Sequence, residues 1–213
     1  DKPASGANCG IGSGGFQPGN VCAGGGGGGG GHQEFKSGAK AESALAASAS
    51  QWSEGTDYFD NRAVKDYAGT SDSFLINKCA RENCKDKTWK TKADALAKVL
   101  DKASFPVDAK AHRTINLKSE DERKAILEAF KPGGEFSDKA FVSTTANGKY
   151  SETWSKNSKV PPITCSVLIS KGAKAAYLPK DIVGRQEWEI LIQRGSKFRV
   201  QSVEGSHVVL ELI

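Results

Sequence analysis

The distribution of glycine constrains what this chain can fold into more than any other feature. Of its 24 glycines, 14 lie in residues 1–31, and the last eight of these form one uninterrupted run that ends at Gly31. Such a chain has great backbone freedom and few apolar side chains with which to build a core. Residues 39–50 are rich in Ala and Ser and indicate a frayed helix or a continued tether. We therefore expect a flexible segment over residues 1–50 and one folded domain over residues 51–213.

The composition argues against membrane and nucleic-acid partners. Hydrophobic residues make up 38% of the chain, the mean hydropathy is −0.47, and no apolar run approaches the ~20 residues that cross a bilayer. The net charge is +5, but basic residues alternate with acidic ones instead of forming runs, which is typical of solvated faces. We therefore expect a soluble globular protein.

The five cysteines define neither a compartment nor a metal site. Their odd number and wide spread are unlike a dense disulfide framework. Cys79 and Cys84 are too far apart for the two-residue gap of a zinc knuckle, and Cys9 and Cys22 have only His32 nearby as a further ligand type. We expect no metal, and the spacing leaves open whether the cysteines pair.

Apolar periodicity predicts helices in the first part of the domain and strands in the second. Residues 58–84 fit two helices separated by a turn at 69–71, and residues 91–103 fit a third that Thr91 caps. A strand is expected at 111–117, a helix at 119–130, and further strands at 139–145, 163–169, 173–178, 187–192, 197–203 and 208–213. Helices followed by strands predict an α+β fold with mainly antiparallel sheets.

The predicted strand at 187–192 carries two carboxylates. Residues two apart in a strand share a face, so Glu187 and Glu189 are expected to point one way while Trp188 and Ile190 face the other. Such a pair raises one pKa, or serves a cation or an electron-poor centre. On spacing alone, an exposed edge strand whose acids face water is the simpler interpretation.

Two further segments carry side chains that suit a ligand. Ser143, Thr144 and Thr145 place three hydroxyls at the end of an apolar strand, where they fix a polar ligand, orient a carboxylate or simply end the strand. Arg113 lies inside a short predicted strand, and its planar fork suits a phosphate or a structural carboxylate.

The order of these segments is more specific than any one of them. Arg113 on an early strand, Phe-x-Ser-Thr-Thr at 141–145 and Glu-x-Glu at 187–189, after a helical lead-in, resemble the mono-ADP-ribosyltransferases of the arginine–serine–glutamate class. Residues 63–67, 74–77, 136–141 and 189–200 are also similar to that family. The resemblance covers about residues 55–213.

This resemblance implies N-terminal helices followed by two packed, mainly antiparallel sheets that enclose an NAD cleft. It also implies cleavage of the nicotinamide–ribose bond of NAD and transfer of ADP-ribose to an acceptor, without a metal. Arg113 would bind the pyrophosphate, and Glu189 would stabilise the developing positive charge of the ribose. Ser143 would hold the nicotinamide end and orient the catalytic carboxylate, with Thr145 as support on the same face, and Thr144 and Thr145 would also belong to the residues that bind NAD.

The resemblance further implies a protein acceptor modified at arginine. In this family a Glu at the position of Glu187 accompanies arginine acceptors, whereas a Gln there accompanies others. Residues 147–159 correspond to a loop that covers the NAD, where Trp154 stacks on the ring or simply anchors the core. Residues 179–186 would face the acceptor. Thr145 in place of the family's usual Ser keeps the hydroxyl, and His112 replaces a common aromatic or aliphatic residue.

Two other functions fit the same segments. In an NAD glycohydrolase, water would attack the ribosyl cation in place of a protein acceptor, although Glu187 argues against this as the main role. A non-catalytic, virion-associated binding module would need the site to have decayed, although all three motif residues are present. Residues 7–23 resemble, more loosely, stretches of phage head-associated proteins. We therefore expect a toxin, effector or phage-delivered modifier, secreted or virion-associated, that is fused to or associated with a larger polypeptide.

Overall fold

The structure is a computed structural model that describes residues 22–23 and 31–213. Its helices are α1 (Gly38–Leu45), α2 (Ala49–Ser53), α3 (Tyr58–Gly69), α4 (Asp72–Glu82), α5 (Lys87–Lys102), α6 (Glu120–Ala129), α7 (Gly148–Thr153) and α8 (Lys180–Val183). Its strands are β1 (Cys22–Ala23), β2 (Gln33–Glu34), β3 (Ala109–Ile115), β4 (Gly134–Ser137), β5 (Val142–Thr145), β6 (Ile163–Ile169), β7 (Ala175–Leu178), β8 (Glu189–Ile192), β9 (Lys197–Glu204) and β10 (His207–Leu212). The five helices α1–α5 precede strands β3–β10, as the apolar periodicity predicts, and the shorter β1 and β2 come before them.

The strands form one open hydrogen-bonded network made of two halves. The order is β1-β4-β9-β10-β6-β3-β5-β8-β7, with β2 beside β3. The halves meet between β3 and β5 through the single pair His112 and Thr145. Only the β10–β6 and β2–β3 pairs are parallel in the described part of the chain. The predicted α+β fold with mainly antiparallel sheets is thus confirmed.

Strand β8 lies between two apolar clusters. Ile190 and Ile192 pack between the two halves of the network, with Val142 of β5 and Val167 of β6. Leu191, on the opposite face, packs against helices α3 and α5. Alternate residues of a strand face opposite sides, so the polar residues on the Leu191 face point toward the helices.

The described chain packs into the core upstream of the predicted domain start at Gln51. Ser37 caps α1, accepting a hydrogen bond of 3.3 Å from the Lys40 amide, and Leu45 of α1 is fully buried. Trp52 of α2 is 1% exposed. Small Ala side chains let these helices approach the sheet closely, so the frayed helix or tether expected at 39–50 is in fact packed structure. The flexible segment and the phage-like stretch predicted before Gly31 lie, except for residues 22–23, outside the described residues.

Helix α5 and strand β8 begin elsewhere than the sequence predicts. The cap of α5 is Asp86 instead of Thr91, because the Asp86 carboxylate accepts from the Thr88 amide at 2.8 Å. Strand β8 starts at Glu189 instead of Glu187, because Trp188 has a φ of 49°, in the left-handed region that interrupts an extended strand. The expected loop at 147–159 contains α7 and a 3-10 turn at Trp154–Asn157.

Three further features concern the cysteines, the length of the helices and the clusters of ligand-type side chains. Cys79 and Cys84 form a disulfide at the end of α4, a pairing that the sequence left open. Within the described residues, no helix is long and apolar enough to cross a bilayer, and no cluster of three or more His, Cys, Asp or Glu side chains could hold a metal ion.

Candidate active site

A cleft of about 270 Å³ lies between the helices and the strands that meet at the junction of the two sheet halves. The end of α3 and the start of α4 form one wall, and β3, β5 and the chain before β8 form the other. Its lining residues are Tyr67, Ala68, Thr70, Ser73, Arg113, Thr114, Ile115, Asn116, Ser143, Trp154, Arg185, Glu187 and Glu189. The cleft therefore gathers Arg113, Ser143 and the two glutamates that the sequence singled out.

Glu189 is the buried acid of this cleft. It is only 4% exposed at the start of β8 and accepts a hydrogen bond of 2.5 Å from the Ser143 hydroxyl. Burial raises the pKa of Glu189 to about 7, although the Ser143 hydrogen bond opposes this; the neighbouring Glu187 charge adds to the rise. Glu189 is thus a carboxyl group that changes charge near neutral pH.

The three hydroxyls of β5 have different roles. Ser143 faces the cleft and donates to Glu189. Thr144 points into the core, where its hydroxyl donates to the Ile190 carbonyl at 2.7 Å, so its side chain is outside the cleft. The fully buried Thr145 donates to the Glu187 carbonyl at 2.7 Å. The two threonines therefore fix the strand that carries the acids.

Arg113 presents a cation at the floor of the cleft. It lies in β3, is 7% exposed, and donates from Nη1 to the Ser143 carbonyl at 2.6 Å. Its Nε has no hydrogen-bond partner among the described residues. A buried guanidinium with an unpaired donor favours an anion as partner, because leaving it unpaired costs free energy.

Glu187 lies in the irregular segment between α8 and β8. Its carboxylate accepts from the Arg185 guanidinium. Burial and the nearby Glu187 carboxylate raise the pKa of Tyr150. The Glu187 carbonyl is held by Thr145, and the next carbonyl, that of Trp188, accepts from the Ala146 amide at 2.9 Å. Glu187 and Glu189 therefore both reach the cleft, as predicted, although only Glu189 belongs to the strand.

Three aromatic rings support the cleft from the side of α7. Tyr150 makes edge-to-face contacts with Trp154 and with Trp188, both at 5.6 Å between ring centroids. Trp154 is half-buried and also lines the cleft. It therefore both packs against a neighbouring ring and presents a surface on which a ligand ring can stack.

Sequence reasoning assigned no site role to several residues of the helical wall. The Tyr67 hydroxyl accepts from Asn77 at 2.9 Å, and Asn77 accepts from the Phe141 amide at 3.1 Å, so this chain of hydrogen bonds ties α3 to the start of β5. Thr70 and Ser73 add hydroxyls at the rim. Single polar residues at helix ends resemble ordinary caps, so the sequence carries no signal for them.

The residues of the cleft fit NAD. A buried guanidinium suits the pyrophosphate, an aromatic ring suits the nicotinamide or adenine, and a buried carboxylate suits a ribose that gains positive charge. All three kinds of group line one cleft: Arg113, Trp154 and Glu189. The same set matches the chemistry of glycosidic bond cleavage at a ribose.

Comparisons with known proteins agree with this geometry. Residues 45–209 match the family described as ADP-ribosyltransferase exoenzyme. The fold is similar to Plx2a, an ADP-ribosyltransferase toxin from Paenibacillus larvae, with a TM-score of 0.67 and 17% identity, covering 83% of this chain and 96% of that one. It is also similar to an ADP-ribosyltransferase from Clostridium botulinum, with a TM-score of 0.68 and 15% identity, covering 85% and 98%.

A third similar structure, from S. aureus and solved with NAD, has a TM-score of 0.66 and 17% identity, covering 85% of this chain and 98% of that one. No curated protein sequence matches the chain at a significant level. The family match spans most of the sequence and includes Arg113, Ser143 and both glutamates. The chain therefore belongs to the ADP-ribosyltransferase exoenzyme family.

Proposed function

We propose that this protein is an NAD-dependent mono-ADP-ribosyltransferase that modifies arginine in a protein acceptor. The observation that supports arginine as the acceptor is the position of Glu187, which lies beside the buried Glu189. The Glu187 carboxylate already binds one guanidinium, that of Arg185. A carboxylate there steers an acceptor guanidinium by charge-assisted hydrogen bonds. It also accepts the proton that the guanidinium loses on transfer.

The NAD would lie along the cleft from Arg113 to Trp154. The unpaired donor of Arg113 supports a contact with the pyrophosphate, and Trp154 supports stacking. Ser143 would hold the nicotinamide end while it orients Glu189. Because Thr144 and Thr145 hydrogen-bond carbonyls of the neighbouring chain, we assign them a supporting role instead of direct contact with NAD.

Glu189 would act in its charged form. Its carboxylate hydrogen-bonds a ribose hydroxyl and stabilises the positive charge that develops as the nicotinamide–ribose bond breaks. A fixed negative charge in a buried cleft is effective because little water screens it. Loss of such a preorganised group costs ~10²–10³-fold or more in rate.

A secreted or delivered toxin or effector fits this activity. Plx2a, with the same fold, is described as a toxin. The Cys79–Cys84 disulfide is typical of proteins that fold in an oxidising compartment. Fusion to, or association with, a larger phage or toxin polypeptide remains a proposal that rests on the sequence of residues 7–23.

The proposal is tested by incubating the protein with labelled NAD and agmatine, a small guanidine, or with a lysate. Nicotinamide release and labelled product are followed separately for wild type, Glu187→Gln, Glu189→Gln and the control Glu128→Gln, which changes an exposed acid of α6. We expect Glu189→Gln to lose both activities and Glu187→Gln to lose transfer while it still releases nicotinamide. The control should behave as wild type.

The other outcomes separate the alternatives. Nicotinamide release by wild type without any labelled product would make the protein an NAD glycohydrolase. Labelled lysate proteins without labelled agmatine would overturn the arginine acceptor alone. Neither activity in wild type would leave the non-catalytic binding module as the better account.

A further inference from the structure

Two arginines line the cleft, and they differ in exposure and in partner. Arg113 is buried and bonds a backbone carbonyl. The side chain of Arg185 is 49% exposed, and its Nη2 donates to Oε1 of Glu187, whose own side chain is 14% exposed. The Arg185 guanidinium therefore already pairs with Glu187, the carboxylate that would bind an acceptor arginine.

The Arg185 side chain has room to move, because about half of it is exposed and it follows an irregular turn of the backbone. Helix α8 ends at Gly184, which has a φ of 83° and no atom within 4 Å of the position of a Cβ. Arg185 follows directly, in a segment that belongs to neither helix nor strand. Glu187 is better fixed, since Thr145 donates to its carbonyl and its side chain is far less exposed than that of Arg185. The guanidinium can thus shift within the cleft while its carboxylate partner stays in place.

We propose that Arg185 is an internal acceptor, so that the protein ADP-ribosylates itself at this residue. The inference rests on the proposed function, because it requires both NAD cleavage and transfer to a guanidinium. It deepens that function by naming a modification site within the same cleft. A modified Arg185 would cover the approach to Glu187, so the reaction would also slow later transfer to other proteins.

The step balances without a further reactant. The bond between the ribose C1″ and the nicotinamide nitrogen breaks, and its electron pair leaves with neutral nicotinamide. A bond forms between C1″ and one terminal nitrogen of Arg185. That nitrogen loses one proton, which Glu187 accepts and passes to solvent. NAD and Arg185 thus give ADP-ribosylated Arg185, nicotinamide and one proton.

If solvent exposure alone decided which arginine is modified, Arg62 would be favoured over Arg185. The Arg62 side chain is 60% exposed, more than that of Arg185, and pairs with Asp66 on α3. Arg62 does not line the cleft. Arg62→Lys is therefore a matched control for Arg185→Lys, since both changes keep the charge and the ion pair but remove the guanidinium.

The test incubates the purified protein with NAD alone and locates ADP-ribose by peptide mass spectrometry. We expect one ADP-ribose on Arg185 in wild type and in Arg62→Lys, which should release nicotinamide and label agmatine as wild type does, and none on residue 185 in Arg185→Lys. Nicotinamide release by Arg185→Lys, measured in parallel, shows whether that variant still cleaves NAD. Because the reaction is internal, the fraction modified per unit time should not depend on protein concentration. Added agmatine should slow it by competition.

Three results would overturn the inference. Labelled agmatine with an unmodified Arg185 would refute self-modification and leave the proposed function intact. ADP-ribose on Arg62 or other exposed arginines, at a rate that rises with protein concentration, would indicate ordinary transfer between molecules. Nicotinamide release without label on agmatine, lysate proteins or Arg185 would refute the proposed transferase as well.

Discussion

The Ser143 hydroxyl donates a hydrogen bond of 2.5 Å to Glu189 across two neighbouring antiparallel strands. Glu189 lies opposite Thr145 in the register, so Ser143 is its diagonal neighbour on the same face. The hydrogen bond favours the charged carboxylate, whereas burial and the Glu187 charge favour the neutral acid. The balance among these effects sets the fraction of protein that is ready to react at a given pH.

NAD cleavage should therefore rise with pH through neutrality. Glu189 has a pKa of about 7 and acts as a carboxylate, so protonation below this pH removes the active form. We expect kcat/KM for NAD, which reports the free enzyme, to increase about tenfold per pH unit below the midpoint and to level off above it. Nicotinamide release measured across this range checks the prediction. A profile without an inflection near pH 7 would contradict it.

Replacing Ser143 with Ala should move that midpoint upward. The hydrogen bond to the charged carboxylate is worth about 1.5–3 kcal/mol, and one pKa unit corresponds to about 1.4 kcal/mol. We therefore expect Ser143→Ala to raise the midpoint by about one unit or more. Ser143→Thr keeps a hydroxyl and should shift the midpoint less. If Ser143→Ala lowers the plateau but leaves the midpoint unchanged, the hydroxyl does not act through the charge of Glu189.

Replacing Arg113 with Lys should weaken NAD binding. An ammonium has no planar fork, so it cannot bond the Ser143 carbonyl and a phosphate in the same geometry. We expect the Kd for NAD to rise about 10–100-fold, measured by equilibrium titration in a Glu189→Gln background that prevents turnover. Arg199→Lys, whose guanidinium pairs with Glu135 away from the cleft, is the control. Equal Kd values for the two variants would remove Arg113 from the binding site.

The core of the site could be predicted from the sequence because its members lie on regular strands. Ser143 and Glu189 face the cleft as the two-residue strand period requires. Thr144 follows the same period, and for that reason its side chain faces the core instead. The period also predicted correctly that Glu187 points toward the cleft. It wrongly placed Glu187 in the strand, since the positive φ of Trp188 depends on contacts distant in sequence.

The packing of the N-terminal helices shows the limit of composition as a guide. Ala- and Ser-rich sequence favours a tether when no partner is known, yet Ala41 and Leu45 are fully buried. Their partners lie far along the chain: Glu42 of α1 accepts hydrogen bonds from Tyr177 and, at 2.9 Å, from Gln186. Such contacts appear only once the sheet has brought these segments together.

Replacing Gly38 with Ala should destabilise the protein, although Ala is ordinarily the better helix residue by about 1 kcal/mol. A Cβ at Gly38, the first residue of α1, would lie 2.1 Å from Cε2 of the Trp188 ring, which is itself packed against Tyr150. The clash should outweigh the helix propensity and lower the free energy of unfolding by about 1–3 kcal/mol.

Because Trp188 lies between Glu187 and Glu189, displacing its ring by Gly38→Ala should also reduce transfer more than NAD cleavage. Urea unfolding and the ratio of labelled agmatine to released nicotinamide measure the two effects. Gly31→Ala, with no atom within 4 Å of the added Cβ, is the control. A Gly38→Ala protein as stable as wild type, with an unchanged ratio, would mean that the Trp188 ring moves without cost and that α1 does not position the glutamate segment.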